Sequence, residues 1–163
     1  VYARDILDVG PGGLGLLRSM PAVGALLVAL WLAQRPLQSK SGLRMFQGVA
    51  LFGAATIGFG LSTNIVLSCV FLFVLGAADM ISVFVRSTLV QFDTPDAMRG
   101  GVAAVNSVFI GASNERGEFE SGAVAAAIGT VPAVVVGGIG TLVVCGLWMR
   151  WFPELRYRDR LTA

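Results

Sequence analysis

The chain has 163 residues, of which 55% are hydrophobic and only 13% are charged, with a net charge of +2. An ordinary soluble domain has about 25% charged residues, so this composition excludes a soluble domain, a disordered chain and a basic nucleic-acid binder. The absence of histidine and the presence of only two cysteines exclude Ser-His catalysis, histidine-ligated zinc and a disulfide scaffold. The composition therefore predicts an all-α integral membrane protein.

Five membrane-spanning helices are predicted, because such a helix needs about 20 mostly apolar residues. In chain order they cover residues 13–33, 45–61, 65–91, 99–128 and 131–152. Residues 1–12 are predicted to form an extracytoplasmic loop, and residues 153–163 a cytoplasmic tail. The first residues have neither a starting Met nor the pattern of a secretory signal, so we expect the chain to be part of a longer protein.

The fourth span is ambiguous. Residues 101–113 and 123–128 are apolar, but residues 114–121 read NERGEFES. One interpretation is an apolar half-span followed by an exposed loop, and the other is one long tilted helix over residues 99–128 with a polar middle, which we favour. At its start, Thr94 is predicted to be an N-cap, with Pro95 in the first helical position.

The basic residues support five crossings. In that layout the N-terminal segment, the turn at 62–64 and the break near 129 face one side and carry a single basic residue, Arg4. The opposite side carries eight basic residues: Arg35, Lys40, Arg44, Arg99, Arg150, Arg156, Arg158 and Arg160. Basic loops stay in the cytoplasm, so we predict a cytoplasmic C-terminus.

Two charged residues lie inside the third span. Asp79, Ser82 and Arg86 have i, i+3, i+7 spacing and so share one helix face. A charge at the bilayer centre costs about 2.5–3.5 kcal/mol on insertion scales. These residues form either a wall of a polar cavity, or an internal arrangement in which Arg86 extends to the cytoplasmic end and a neighbouring helix holds Asp79.

A polar stripe in the fourth span recurs at steps of four and three: Ser107, Gly111, Asn114, Glu118 and Ser121. Glu115 lies next to it. Such a stripe must face protein or water, and carboxylates held away from water can take up and release protons. We therefore expect Asn114, Glu115 and Glu118, together with Asp79 and Arg86, to line a substrate or proton pathway. Arg116 and Glu120 are expected to be structural partners or outward-facing groups.

Small residues in the second and last spans predict close helix packing. In the last span they recur every four residues, at Ala133, Gly137, Thr141 and Cys145. In the second span they are Gly53, Gly58 and Gly60.

Three segments match a known family: GLGLLRSMPAVGALL (13–27), QFDTPDAMRGGVAAVNSVFIGASNERGEFESG (91–122) and VPAVVVGGIGTLVV (131–144). On these segments the chain resembles the C-terminal part of major facilitator superfamily exporters, in the branch of the bacterial enterobactin exporter, also described as a transmembrane secretion effector family. Two positions depart from the pattern. Arg116 stands where an apolar residue is expected, and residues 99–101 read RGG where RGR is common.

The resemblance implies that the five spans correspond to helices 8 to 12 of a twelve-helix fold in a bacterial inner membrane. It implies proton-coupled export of a siderophore or another amphipathic small molecule, with the missing N-terminal half as partner and the lipid bilayer around it. No enzyme activity, cofactor, metal or nucleic acid is expected. The alternative is a helical membrane subunit that scaffolds a partner and does not transport, which would explain the glycines but not the carboxylates.

Overall fold

The computed structural model describes residues 10–34 and 41–152, and these residues are helical apart from short turns. The α-helices are α1 (Pro11–Gln34), α2 (Ser41–Leu61), α3 (Ile65–Asp93), α4 (Arg99–Ile128) and α5 (Thr130–Trp151), and a 3₁₀ turn over Asp96–Met98 precedes α4. The described part of the chain contains no strand, which confirms the all-α class. The predicted tail at 153–163, most of the N-terminal loop and the loop residues 35–40 lie outside the described residues.

Within the described residues, four helices are long and apolar enough to cross a membrane: Gly12–Gln34, Gly42–Leu61, Ile65–Phe92 and Thr130–Trp151. Their outward faces keep large apolar side chains exposed, among them Leu26 and Trp31 on α1 and Val136 and Val143 on α5. Such a surface needs a bilayer or further apolar helices around it. The described helices are therefore those of a multi-pass membrane protein.

Helix α4 continues without a break through residues 114–121, so of the two interpretations of 99–128 the structure has the continuous helix. Its 30 residues extend about 45 Å at 1.5 Å per residue, which is longer than the hydrocarbon core of about 30 Å. It is nevertheless not one of the four apolar helices, because charged residues occupy its middle. The count of five spans stays a prediction.

Each helix packs mainly against particular neighbours: α1 against α3, α3 against α2, α2 against α5, and α5 against α4. Helix α4 therefore lies at the end of this series and has no buried residue. At the opposite end, Leu32 of α1 and Val85 of α3 form a buried apolar cluster with Val28 and Met45 around them.

Two glycines bring the backbones of α1 and α3 into contact. A Cβ at Gly24 would overlap the backbone oxygen of Phe73, and a Cβ at Gly76 would overlap the backbone of Pro21. Pro21 lies inside α1. Because glycine has no side chain, the two helices can approach backbone to backbone at these points.

Helices α2 and α5 also meet through glycines. A Cβ at Gly138 would lie 3.0 Å from the backbone oxygen of Gly53, and one at Gly60 would lie 2.9 Å from Val134. Near the other end of the contact, the Cys145 thiol donates to the carbonyl oxygen of Phe46 at 3.5 Å. These contacts confirm that Gly53 and Gly60 are packing residues, and Gly58 likewise packs against Phe71 of α3.

The small-residue stripe predicted for the last span is only partly correct. Gly137 has open space around it, and the neighbouring Gly138 makes the contact with α2 instead. Residues four apart on a helix differ by about 40° in direction, so a period of four drifts by about 120° from Ala133 to Cys145. Such a stripe cannot face the same neighbouring helix along its whole length. Of its four members, Cys145 is buried.

The turns between helices are capped in two ways. Asn64 is the N-cap of α3 and accepts from the backbone N–H groups of Val66 and Leu67, and the buried Ser62 and Ser68 hydroxyls are hydrogen-bonded to each other at 3.0 Å. Gly129 alone separates α4 from α5, at φ 91°, in the left-handed region that favours glycine.

The prediction that Thr94 caps the fourth helix, with Pro95 in its first position, is wrong, because Pro95 precedes the 3₁₀ turn and lies outside the helix. Thr94 is the C-cap of α3, and its hydroxyl donates back to the carbonyl oxygen of Val90. Helix α4 begins only at Arg99, which binds the end of α3 through the carbonyl oxygen of Gln91 at 3.2 Å. Arg99 also forms an ion pair with Asp96 at 2.6 Å.

Candidate functional site

Asp79 lies at the middle of α3, 14 residues from Ile65 and 14 from Asp93. At 1.5 Å per residue the carboxylate-bearing position is about 21 Å from either end of the helix. Since α3 is one of the apolar helices, Asp79 is at the depth where a charge is most costly in a bilayer.

A pocket of about 210 Å³ opens beside Asp79, between three helices. Helix α2 contributes Gly48, Val49 and Phe52, helix α3 contributes Ala78, Asp79 and Ser82, and helix α5 contributes Thr141. Gly48 lets α2 and α3 approach at this point, because a Cβ there would already lie 3.0 Å from the carbonyl oxygen of Ala78. The sequence placed Asp79 and Ser82 on one face, and the structure adds the walls from α2 and α5.

The Asp79 carboxylate has no hydrogen bond or ion pair to any residue within 10–34 and 41–152. Thr141 across the pocket donates its hydroxyl hydrogen to the carbonyl oxygen of Gly137 at 3.0 Å. That hydroxyl oxygen still has lone pairs free to accept a hydrogen bond from a ligand.

Arg86 is two turns further along α3, about 10.5 Å from Asp79 along the axis, and is not part of the pocket wall. Its side chain is exposed. Within the described residues it forms no ion pair with Asp79. The structure therefore brings Asp79 together with Ser82 but does not bring Arg86 into the same site.

The polar stripe of α4 forms a second, open site. Asn114, Glu118 and Ser121 line a shallow pocket of about 530 Å³ together with Ser113 and Gly117, all of them on α4. The absent side chain at Gly117 leaves a hollow between the polar groups above and below it. Ser107, Gly111 and Glu115 do not line this hollow.

Arg116 and Glu120 are paired, as expected. The Arg116 Nε donates to a carboxylate oxygen of Glu120 at 2.9 Å, one helical turn away, and both side chains are exposed. This i, i+4 pair leaves Glu118 as a carboxylate without an ion-pair partner among the described residues.

The two polar sites stay on different parts of the molecule. Their walls share no residue. The part of the chain that the structure describes also contains no group of three or more acidic or cysteine side chains that could hold a metal ion.

Helices α3 and α4 approach at their connection, where Val90, Val102 and Phe109 help to line an apolar groove of about 700 Å³.

Sequence reasoning missed the contribution of Phe52 and Thr141 to the Asp79 site. Thr141 was visible only as a small residue in the last span, and Phe52 only as one apolar residue among many in the second. Nothing in a single sequence indicates that two helices distant along the chain meet beside Asp79.

Searches for similar proteins give no match: no family model, no curated protein and no solved structure is similar to this chain.

Proposed function

We propose that the chain is the C-terminal part of a secondary active transporter of the major facilitator type, which exports a siderophore-like or other amphipathic small molecule across a bacterial inner membrane by proton-coupled alternating access. The observation that carries the proposal is the Asp79 carboxylate, at the middle of an apolar helix and facing a pocket between three helices. Placing a carboxylate without a partner inside a membrane costs free energy, and binding of a transported substrate would explain why this chain has one there.

Helix α4 is proposed as the fifth crossing. If α4 did not cross, the C-terminal tail would lie on the side of the N-terminal segment. Five basic residues (Arg4, Arg150, Arg156, Arg158 and Arg160) would then oppose four (Arg35, Lys40, Arg44 and Arg99). With the crossing, the same residues divide eight to one, which is the asymmetry typical of a cytoplasmic side.

The middle of α4 supports a location beside a water-filled cavity. At about 100° per residue, Ser113, Glu115, Arg116 and Glu118 point in four different directions, so this stretch has no side suited to lipid. Every residue from 107 to 121 is exposed. Irregular or polar surface at membrane depth is tolerated where it is covered by protein or lines a cavity, and the remaining half of the transporter would supply the other wall.

In the proposed mechanism the two sites have separate tasks. Asp79 and the pocket beside it bind substrate between the helices. Glu118, beside Asn114 in the open hollow of α4, takes up a proton from the outside and releases it to the cytoplasm as the two halves rock. Export of substrate is thereby coupled to proton entry.

The test is transport by the full-length protein in inside-out membrane vesicles, with an amphipathic fluorescent dye and a catecholate siderophore as probes. We expect Asp79→Asn to lower energised uptake at least tenfold, because it removes the charge while nearly preserving the shape. Asp96→Asn is the matched control. Asp96 is 85% exposed in the 3₁₀ turn, and its substitution should change uptake less than twofold.

Membrane abundance and thermal unfolding of each variant separate loss of function from loss of fold. Uptake by the wild-type protein no greater than by empty vesicles would contradict transport and favour the scaffold. Uptake by Asp79→Asn equal to wild type would contradict the role given to the carboxylate.

A further inference from the structure

The pocket beside Asp79 has a negatively charged group and no positively charged one. None of the residues that line it is basic, and the carboxylate has no ion-pair partner among the described residues. Asp79 is exposed on the surface of the described residues, but it lies at the middle of an apolar helix. At that depth in a membrane the dielectric constant is low, and the attraction of a carboxylate for a cation is much stronger than in water. A ligand that enters this pocket therefore gains from carrying a positive charge.

The rest of the wall selects the kind of cation. The side-chain oxygens on offer are one carboxylate and the hydroxyls of Ser82 and Thr141, fewer than the six or more ligands that a hard metal ion takes. The remaining wall is apolar and includes one aromatic residue, Phe52. Aromatic faces attract substituted ammonium groups, whose carbon atoms also fit an apolar wall.

The size of the pocket agrees with such a group. Its volume of about 210 Å³ is well above the roughly 10–15 Å³ that a cavity needs in order to hold one water molecule. This space holds a substituted ammonium head group with a few carbon atoms, and the opening leaves room for a longer body to extend out of it.

We propose that this pocket binds the ammonium head group of an organic monocation, with Asp79 as its counter-charge, Phe52 against its carbon atoms, and the Ser82 and Thr141 hydroxyls at its rim. The inference rests on the proposed function in one respect, since it assigns this pocket as the substrate site of the transporter. Of the two substrate classes in the proposed function, it favours the amphipathic small molecules over siderophores, and it narrows them to amines and quaternary ammonium compounds.

The experiment measures equilibrium binding of tritiated benzyltrimethylammonium to the full-length protein in lipid nanodiscs. The matched competitor is neopentylbenzene, in which a neutral carbon replaces the charged nitrogen in the same shape. We expect saturable binding by the wild-type protein, at least tenfold weaker binding by Asp79→Asn, and affinity within about fivefold of wild type for Asp79→Glu and Asp96→Asn. Neopentylbenzene should not displace the cation.

Three results would overturn the site: equal binding by wild type and Asp79→Asn, displacement by neopentylbenzene at concentrations similar to those of the cation itself, or full displacement by sodium ions at millimolar concentration. Rescue by Asp79→Glu distinguishes loss of the charge from loss of the fold.

Parallel transport assays separate this site from the proposed function. Binding that depends on Asp79 in a protein that transports no probe would refute the transporter and leave the cation site. Transport of an uncharged probe that falls in Asp79→Asn, with no cation binding by wild type, would refute the cation site and leave the transporter.

Discussion

Replacing Gly76 by Ala tests the contact between α1 and α3. The added Cβ would overlap the backbone of Pro21. Backbone atoms within a helix cannot turn aside as the end of a flexible side chain does, so one whole helix must move away from the other. That movement would also open the contact between Gly24 and Phe73, since the same two helices make it.

The magnitude follows from two opposing effects. Intrinsic helix propensity favours Ala over Gly by about 0.8–1 kcal/mol, so the substitution would stabilise α3 if space were free. Overpacking in a tight contact costs about 1–3 kcal/mol, and the separated helices also lose contact near Gly24. We expect a net destabilisation of about 1–2 kcal/mol, which is a factor of about 5–30 in the folding equilibrium.

Gly137→Ala is the matched control, because Gly137 also lies in an apolar helix but has nothing within 4 Å of an added Cβ. It should leave stability unchanged or raise it by up to about 1 kcal/mol. The assay is the midpoint of unfolding of the full-length protein in detergent micelles titrated with sodium dodecyl sulfate. If Gly76→Ala proves as stable as Gly137→Ala, α1 and α3 do not approach through this glycine.

Two further predictions concern α4. The first is tested with a membrane-impermeant thiol reagent added outside intact cells, in a background without the native cysteines. The reagent should label Thr63→Cys and Ile128→Cys but not Ala97→Cys. If Ile128→Cys and Ala97→Cys are both labelled, or both unlabelled, α4 does not cross the membrane. Glu118→Gln should lower proton-coupled export at least tenfold at unchanged membrane abundance, whereas Glu120→Gln, which removes only the charge of an exposed helical pair, should lower it less than twofold. Equal export by both variants would remove Glu118 from the proton pathway.

The sequence by itself determined where helices form. In a bilayer each backbone N–H and C=O must be hydrogen-bonded within the protein, and a helix achieves this within a single segment. Long apolar runs of about 20 residues therefore form helices without help from their neighbours. The polar breaks at 62–64 and Gly129 appear where predicted, since Asn64 caps a helix locally and Gly129 adopts a backbone conformation that suits glycine. The depth of Asp79 also follows from counting residues along one run.

Tertiary structure decided which helix faces meet. The contacts of Gly24 with Phe73, Gly76 with Pro21 and Gly138 with Gly53 depend on how far each helix rotates and slides against its neighbour. Apolar side chains around a membrane helix do not specify this, because lipid and protein are about equally apolar. The wall that Thr141 adds beside Asp79 forms only when α2, α3 and α5 pack together. The sequence therefore identified the carboxylate of Asp79, but it could not reveal the pocket around it.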